Sequence, residues 1–181
     1  MGGTLDYIRN WRRYLVQDLP GNVLEIGVGS GTNLPLYRRA DHVWATEPAT
    51  ERLVEAREAG ARAAVPVDVR EAAAEALPFE DEMFDHVVSS LVFCSVTDQR
   101  QALAEIERVL RPGGTLHMLE HVRPKTPPLG WLAGAVTPAW SKAAGNCHLD
   151  RMTVEVLRQE GWEVQVQRRV GIFVRMDARK P

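Results

Sequence analysis

A glycine-rich segment with two acidic residues at defined distances is the part of the sequence best suited to chemistry. It has glycines at three alternating positions, Gly27, Gly29 and Gly31. They follow the apolar run 22–26, and glycines there let the backbone turn sharply and admit a ligand against the main chain. Glu25 precedes the first glycine by two residues, and Glu47 ends the next β-rich run, where an acid can bind both ribose hydroxyls. The pattern indicates a nucleotide-binding crevice.

Two ligand classes fit this segment, and the residues Glu25 and Thr32 distinguish between them. A dinucleotide fingerprint requires a third glycine or alanine where this chain has Thr32. S-adenosylmethionine carries no phosphate but has a cationic amino group, which suits the carboxylate of Glu25. The pattern therefore favours the methyl donor, with an NAD-dependent oxidoreductase as the rival. A non-catalytic module that binds S-adenosylmethionine is the non-enzyme alternative.

The elements that must position these residues alternate between strand and helix along most of the chain. Strands are predicted over 22–27, 42–46, 63–69, 84–91 and 115–120. Helices are predicted over 7–19, 33–40, 51–59, 99–110 and 150–160, with Thr50 and Asp98 as N-caps. Two last extended runs, 162–170 and 172–178, leave no room for a helix and predict an antiparallel hairpin. The fold class predicted is an α/β, Rossmann-like open sheet, mainly parallel, with helices on both faces.

Length and composition narrow the function classes. The 181 residues predict a single domain over 1–181, and the net charge of −2 argues against a dedicated nucleic-acid binder. Two distant cysteines predict no disulfide framework, and the start lacks the pattern of a signal peptide. The most apolar stretch, 129–140, is too short to span a bilayer. The expectation is a cytoplasmic protein without an integral membrane segment, although peripheral membrane contact stays open.

The chain resembles the class I S-adenosylmethionine-dependent methyltransferases, in the branch that includes the quinone C-methyltransferases. The matching segments are 23–33, 46–48, 74–79, 84–91 and 109–114. The resemblance implies S-adenosylmethionine as cofactor, S-adenosylhomocysteine as product, and a last strand inserted antiparallel into the sheet. It also implies the following cofactor-binding residues: Glu25 and Gly27 at the methionine amino group, Gly29, Gly31 and Asn33 in the glycine loop, Glu47 on the ribose, Pro48, Ala74 and Glu75 beside the adenine, and Leu91 at the methionine moiety. One departure is Ala73, where the family often has an Asp that contacts the adenine amino group.

A narrower likeness points to the acceptor. Segments 91–96, 119–122, 138–140 and 145–151 resemble a methyltransferase-like group that includes alkyl thiol S-methyltransferases, and phosphatidylethanolamine N-methyltransferases share part of the pattern. This implies a small lipophilic acceptor, a thiol by preference, with a phospholipid amine, a quinol or a phenol as alternatives. No nucleic-acid acceptor is expected, because residues 89–92 read Ser-Ser-Leu-Val where amino-methylating nucleic-acid enzymes have Asp/Asn-Pro-Pro-aromatic. The sequence leaves the oligomeric state open.

The acceptor site itself is expected at the carboxyl ends of the fourth and fifth strands. The N-terminal helix (1–19) and the insertion 123–148 are the segments available as a lid. Predicted substrate-binding residues are Tyr7, Trp11, Trp131, Trp140 and Cys147, although the tryptophans could equally pack the insertion onto the domain. His121 is the predicted acid/base or acceptor-orienting residue, against a structural histidine bonded to the backbone. No metal site is predicted, because Cys147, His148 and Asp150 have no second ligand pair at zinc spacing.

Overall fold

The computed structural model describes residues 4–124, 126–143 and 146–180, with side chains from residue 10 onwards except that of Ala143. Seven strands form one sheet: β1 Gly21–Ile26, β2 Ala40–Glu47, β3 Val67–Glu71, β4 Phe84–Ser90, β5 Leu110–His121, β6 Glu163–Val170 and β7 Phe173–Arg179. Five α-helices are present in the described part: α1 Thr4–Val16, α2 Thr50–Ala61, α3 Gln99–Val109, α4 Pro127–Ala143 and α5 Thr153–Gln159. None of these helices is both long and apolar enough to cross a membrane.

The strand order is β3-β2-β1-β4-β5-β7-β6. Strands β1 to β5 pair in parallel, whereas β7 lies antiparallel between β5 and β6. This confirms the predicted fold class, including the antiparallel insertion of the last strand. The order reverses direction between β1 and β4, and in open α/β sheets ligands bind in the crevice at the carboxyl ends of the strands at such a point.

Two apolar layers cover the sheet, because neighbouring residues of a strand point to opposite faces. Leu24 and Val87 pack with α3 and α5 on one face. Val23 and Val88 pack with α1 and α2 on the other. The parallel pairing of β1 with β4 holds their carboxyl ends side by side, and these ends form walls of the crevice.

Three local predictions were wrong in detail. The helix expected over 33–40 is reduced to the 3-10 turn Leu34–Leu36, and the chain leaves it in an extended conformation at Tyr37. The turn expected at 111–114 is incorporated at the start of β5, where the pairing with β4 changes register and Gly113 adopts a positive φ of 79°. Thr50 is the first residue of α2 and not its cap, since its hydroxyl donates to Glu71. The Asp98 cap is confirmed by its bonds from the backbone N–H groups of residues 100 and 101.

Candidate active site

A continuous cleft runs across the carboxyl ends of β1, β2 and β4 in the described structure. We call it the cofactor cleft. One part is lined by residues that include Gly27, Glu47, Pro48, Ala74, Glu75, Leu91 and Val92. The other part is lined by residues that include Arg12, Glu25, Gly29, Ser30 and Asn33. Gly27, Arg52 and Leu91 border both parts. The fold therefore brings nine of the ten predicted cofactor-binding residues to one cleft, Gly31 being the exception.

Glu47 lies at the end of β2 and is held by the glycine loop. Its Oε2 accepts a hydrogen bond from the Gly29 backbone N–H at 2.8 Å, and its Oε1 accepts from the Ala49 N–H at 3.1 Å. The side chain is only 4% exposed. Two backbone donors fix the carboxylate at the cleft wall, with lone pairs left to accept from a ligand.

Glu25 is a buried carboxylate at the opposite end of the cleft. It accepts hydrogen bonds from Asn33 Nδ2 and from the Tyr37 hydroxyl, both at 2.8 Å. Burial raises the pKa of Glu25 to about 7, although these two bonds and the nearby Arg12 act in the opposite direction. A cationic ligand group placed here would favour the charged form of the carboxylate.

The three glycines have different surroundings. Gly29 has a positive φ of 59° and open space where a Cβ would be, with the nearest atom, from Arg52, at 4.0 Å. A Cβ on Gly31 would lie 2.6 Å from the Cβ of Ala59 in α2, and one on Gly27 would lie 2.6 Å from a methyl group of Val92. Gly31 thus allows α2 to pack against the loop, and its predicted contact with the cofactor stays a prediction.

The end of the cleft expected to take the adenine is formed by Pro48, Ala74 and Glu75. Glu75 Oε1 accepts hydrogen bonds from the backbone N–H groups of Thr97 and Asp98, at 2.8 and 3.2 Å. This carboxylate therefore anchors the start of α3, and only its other oxygen is free of these bonds. Ala73 lines the same wall, so the side chain that the family often has here is absent.

Leu91 follows β4 with a positive φ of 62°, a conformation rare for leucine. Its backbone N–H donates to Leu119 O at 2.7 Å, which holds the residue in place. Strain of this kind costs about 1–3 kcal/mol and is often found at functional sites. The resulting turn directs the chain after β4 along the cleft.

Arg12 and Arg52 line the cleft and were not predicted from the sequence. Arg12 extends from α1, donates to Asn33 Oδ1 at 3.3 Å and lies near Glu25. Arg12 could have been predicted from its place on the helix expected to cover the site. Arg52 borders both parts of the cleft from the first turn of α2. Arg52 could have been predicted from its position five residues after Glu47, at the start of the helix that follows a ligand-binding strand.

His121 ends β5 beside two cysteines. Its Nε2 lies 2.9 Å from Cys147 Sγ, and its Nδ1 is buried without a hydrogen-bond partner among the described residues. Donor atoms of Cys94, His121 and Cys147 all lie within 4.8 Å of one another. Burial, followed by the nearby Glu120 carboxylate, raises the pKa of the Cys94 thiol. We call these three residues the thiol–imidazole cluster.

The aromatic residues predicted to bind the acceptor occupy three different environments. Trp11 is 4% exposed and packs in the core against residues of the sheet, so the structure places it away from the cleft wall. Trp131 and Trp140 lie on α4 and are 75% and 45% exposed, so neither is packed into the domain core. Trp131 borders a groove with the arginines Arg123, Arg151 and Arg169. The side chain of Tyr7 lies outside the described residues.

Comparison with known proteins gives the class of the molecule. The fold matches a crystal structure of an S-adenosylmethionine-dependent methyltransferase from Mesorhizobium loti, with a TM-score of 0.73 over 97% of this chain and 99% of the other, at 19% identity. That likeness shows the fold. The methyltransferase domain family matches residues 24–118, more than half of the chain. The chain therefore belongs to the methyltransferase domain family and is an S-adenosylmethionine-dependent methyltransferase, which resolves the choice between this cofactor and NAD.

Two curated relatives carry more specific names. The thiol S-methyltransferase TMT1B of Mus musculus is 31% identical over 169 residues, 84% of this chain and 66% of the relative. The phosphatidylethanolamine N-methyltransferase of Cereibacter sphaeroides is 37% identical over 103 residues, 56% of this chain and 51% of the relative. The chain thus spans about two thirds of the length of the first relative and half of the second.

Proposed function

We propose that this enzyme transfers the methyl group of S-adenosylmethionine to a small lipophilic thiol. The observation that carries the proposal is the thiol–imidazole cluster, which adjoins the cofactor cleft in a chain similar to a thiol S-methyltransferase over 84% of its length. The acidity of thiols and the exposed apolar side chains of α4 also support it.

The cofactor cleft offers complementary groups for each part of S-adenosylmethionine. Glu25, a buried carboxylate, suits the cationic amino group in its ionised form, and Arg12 beside it suits the carboxylate. Glu47, fixed by two backbone N–H groups, is oriented to accept from the ribose hydroxyls. Leu91 and Gly27 lie between these ends, where the sulfonium would have to be.

The bound cofactor supplies a methyl group on a positively charged sulfur, which is already activated for in-line displacement. The chain then has to hold the acceptor atom in line with that methyl group, and such positioning lowers a barrier by up to about 7–11 kcal/mol in well-oriented systems. A thiol has a reference pKa of about 8.5 and is partly ionised at neutral pH, whereas an aliphatic alcohol is not. We place His121 beside the acceptor sulfur, where it orients the thiol or accepts its proton.

We assign the lid expected at the acceptor side to α1 and α4. Helix α4 has a strongly apolar sequence, and it exposes large apolar side chains: Leu129, Trp131, Leu132, Val136 and Trp140. A surface of this kind suits an acceptor with a hydrocarbon chain. Trp131 and Trp140 are the residues on α4 that we propose contact this chain.

A phospholipid amine is the second candidate acceptor. Three arginines, one acid and a tryptophan line one groove, and the excess of positive charge beside an apolar side chain is what a phosphate-bearing lipid would require: Arg123, Arg151, Arg169, Glu155 and Trp131. The similarity to a phosphatidylethanolamine N-methyltransferase supports this candidate over 56% of the chain. Neither observation involves the thiol–imidazole cluster, and we therefore rank the thiol first.

The test is transfer of labelled methyl from S-adenosylmethionine to a thiol, an amine, a phenol and an alcohol that share one hydrocarbon chain. We expect transfer to the thiol, and a decrease in kcat/KM of about 100-fold in His121→Ala. His148→Ala is the matched control, since His148 bonds Asn146 and is not a member of the cluster. Transfer to the amine alone would replace the proposal by the second candidate.

A further inference from the structure

The thiol–imidazole cluster has the composition of a metal site. It combines two cysteine sulfurs with one imidazole nitrogen, supplied by the loop after β4, the end of β5 and the segment after α4. Zinc is bound in proteins by these donor types, and catalytic zinc sites keep three protein ligands and one open position. The sequence does not show this set as a zinc motif, because Cys94, His121 and Cys147 are far apart along the chain.

We propose that Cys94, His121 and Cys147 bind a thiophilic divalent cation, Zn²⁺, and leave its fourth position to the acceptor sulfur. Bond lengths of about 2.0–2.3 Å place the donor atoms of a tetrahedral zinc site about 3.5–3.8 Å apart. The three donor atoms here lie within 4.8 Å of one another, and the closest recorded pair, His121 Nε2 and Cys147 Sγ, is 2.9 Å apart. Shifts of about 1 Å or less would give the coordination geometry.

The charge that the cluster can hold depends on its buried neighbour Glu120. His121 Nδ1 and Glu120 Oε2 have no hydrogen-bond partner among the described residues. Glu120 is fully buried, with its other oxygen bonded to Ser89 Oγ at 2.7 Å and to the Val92 N–H at 3.1 Å. With both cysteines as thiolates, a divalent cation and its two sulfur ligands carry no net charge, so the ion can bind without adding negative charge beside Glu120.

The cluster adjoins the place where methyl transfer would occur. Cys94 Sγ lies 3.6 Å from the carbonyl oxygen of Leu91, and Leu91 and Ser95 line the cofactor cleft on either side of it along the chain. Cys147 is half-buried, so an acceptor can reach the ion from its side. The position next to the cleft distinguishes this site from a structural zinc site with four protein ligands.

The role of the open position rests on the proposed function. With the ion bound, His121 is its ligand and not the proton acceptor, so an acceptor thiol that binds the ion releases its proton to water and is held as the thiolate, the form that attacks. Its sulfur forms the new C–S bond as the C–S bond to the donor sulfur breaks, and the electron pair of that bond stays on S-adenosylhomocysteine. The products are a methyl thioether, S-adenosylhomocysteine and one proton.

The test measures metal binding without turnover. The fully reduced, metal-free chain is titrated with Zn²⁺ against a chromophoric chelator, and with Co²⁺ for its sulfur-to-metal charge-transfer and tetrahedral absorption bands. We expect one ion per chain, and an affinity lower by about tenfold or more in Cys147→Ser and His121→Ala. His148→Ala should bind as the wild type does. Retained S-adenosylhomocysteine binding shows that each variant is folded.

The outcomes separate this inference from the proposed function. Equal metal affinity in the wild type and in Cys147→Ser, or loss of binding in His148→Ala alone, would overturn the site. Zinc binding without methylation of any thiol would keep the site and refute the proposed function. Thiol methylation by a chain that binds no zinc would refute the zinc site and keep the proposed function. A change in the Co²⁺ spectrum on adding the thiol, absent in His121→Ala, would support the open position.

Discussion

At the scale of single residues, Glu25 couples ligand binding in the cleft to the release of a proton. The carboxylate is enclosed by Asn33 and Tyr37, and burial raises its pKa to about 7. Near neutral pH the empty cleft is therefore a mixture of protonated and ionised Glu25. An ammonium group in contact with the carboxylate would favour the ionised form, so that ligand binding releases a proton.

This coupling predicts a pH-dependent affinity with a definite sign. Below the raised pKa, binding must remove a proton from Glu25, so we expect S-adenosylhomocysteine to bind up to about tenfold more weakly at pH 6 than at pH 7.5. In Glu25→Gln the affinity should be lower overall and the slope between these pH values should vanish. Calorimetry in buffers of different ionisation enthalpy would measure the released proton. An unchanged slope in Glu25→Gln would remove the assignment of Glu25 to the amino group.

At the scale of elements, the glycine loop after β1 has to pack against α2 and also admit a ligand. Gly31 serves the packing on α2, whereas Gly29 leaves the cleft open. We expect Gly31→Ala to lower the free energy of unfolding by about 2–4 kcal/mol, from its positive φ and its clash with Ala59. Gly29→Ala should cost about 1–2 kcal/mol and reduce S-adenosylhomocysteine affinity more strongly. Denaturant unfolding and calorimetry on both variants test this, and similar unfolding losses in the two would contradict it.

Helix α4 has the apolar face that we propose contacts the acceptor. If its apolar face binds the hydrocarbon part of the acceptor, Trp131→Ala and Trp140→Ala should raise KM for a long-chain thiol about fivefold or more. Activity on a short, water-soluble thiol should stay the same. Val166→Ala, an exposed apolar residue on β6, is the control. Equal effects on long and short thiols would show that α4 does not contact the chain of the acceptor.

At the scale of the whole molecule, the cofactor cleft joins elements from both faces of the sheet. A ligand that binds only the folded state stabilises it, and S-adenosylhomocysteine at 100 times its dissociation constant should add about 2.7 kcal/mol. Glu47→Ala should lose most of this gain at the same ligand concentration, because the ribose contact is removed. Glu58→Ala, on the exposed side of α2, should keep it. An equal ligand-induced shift in the melting temperature of Glu47→Ala would contradict the ribose assignment.

The succession of strands and helices along the chain and the general site could be predicted because they depend on local patterns. Alternating apolar runs and glycine turns identify the βα units, and the absence of a helix between the last two strands predicts the hairpin. The wrong details have tertiary causes. Residues 33–40 do not form a full helix, because the chain becomes extended at Tyr37, whose buried hydroxyl bonds to Glu25. Such a bond between two elements has no periodic signal in the sequence.

The sequence by itself determined the fold class, the glycine loop and the type of cofactor, since spacings of a few residues decide these. Only the tertiary structure decided that Gly31 faces α2, that Trp11 lies in the core and that Arg12 reaches the cleft. It also decided that Cys94, His121 and Cys147 meet. The parallel pairing of β4 with β5 aligns the ends of both strands, and the segment after α4 then returns to them. Contacts between residues so distant in sequence follow from packing and have no local signature.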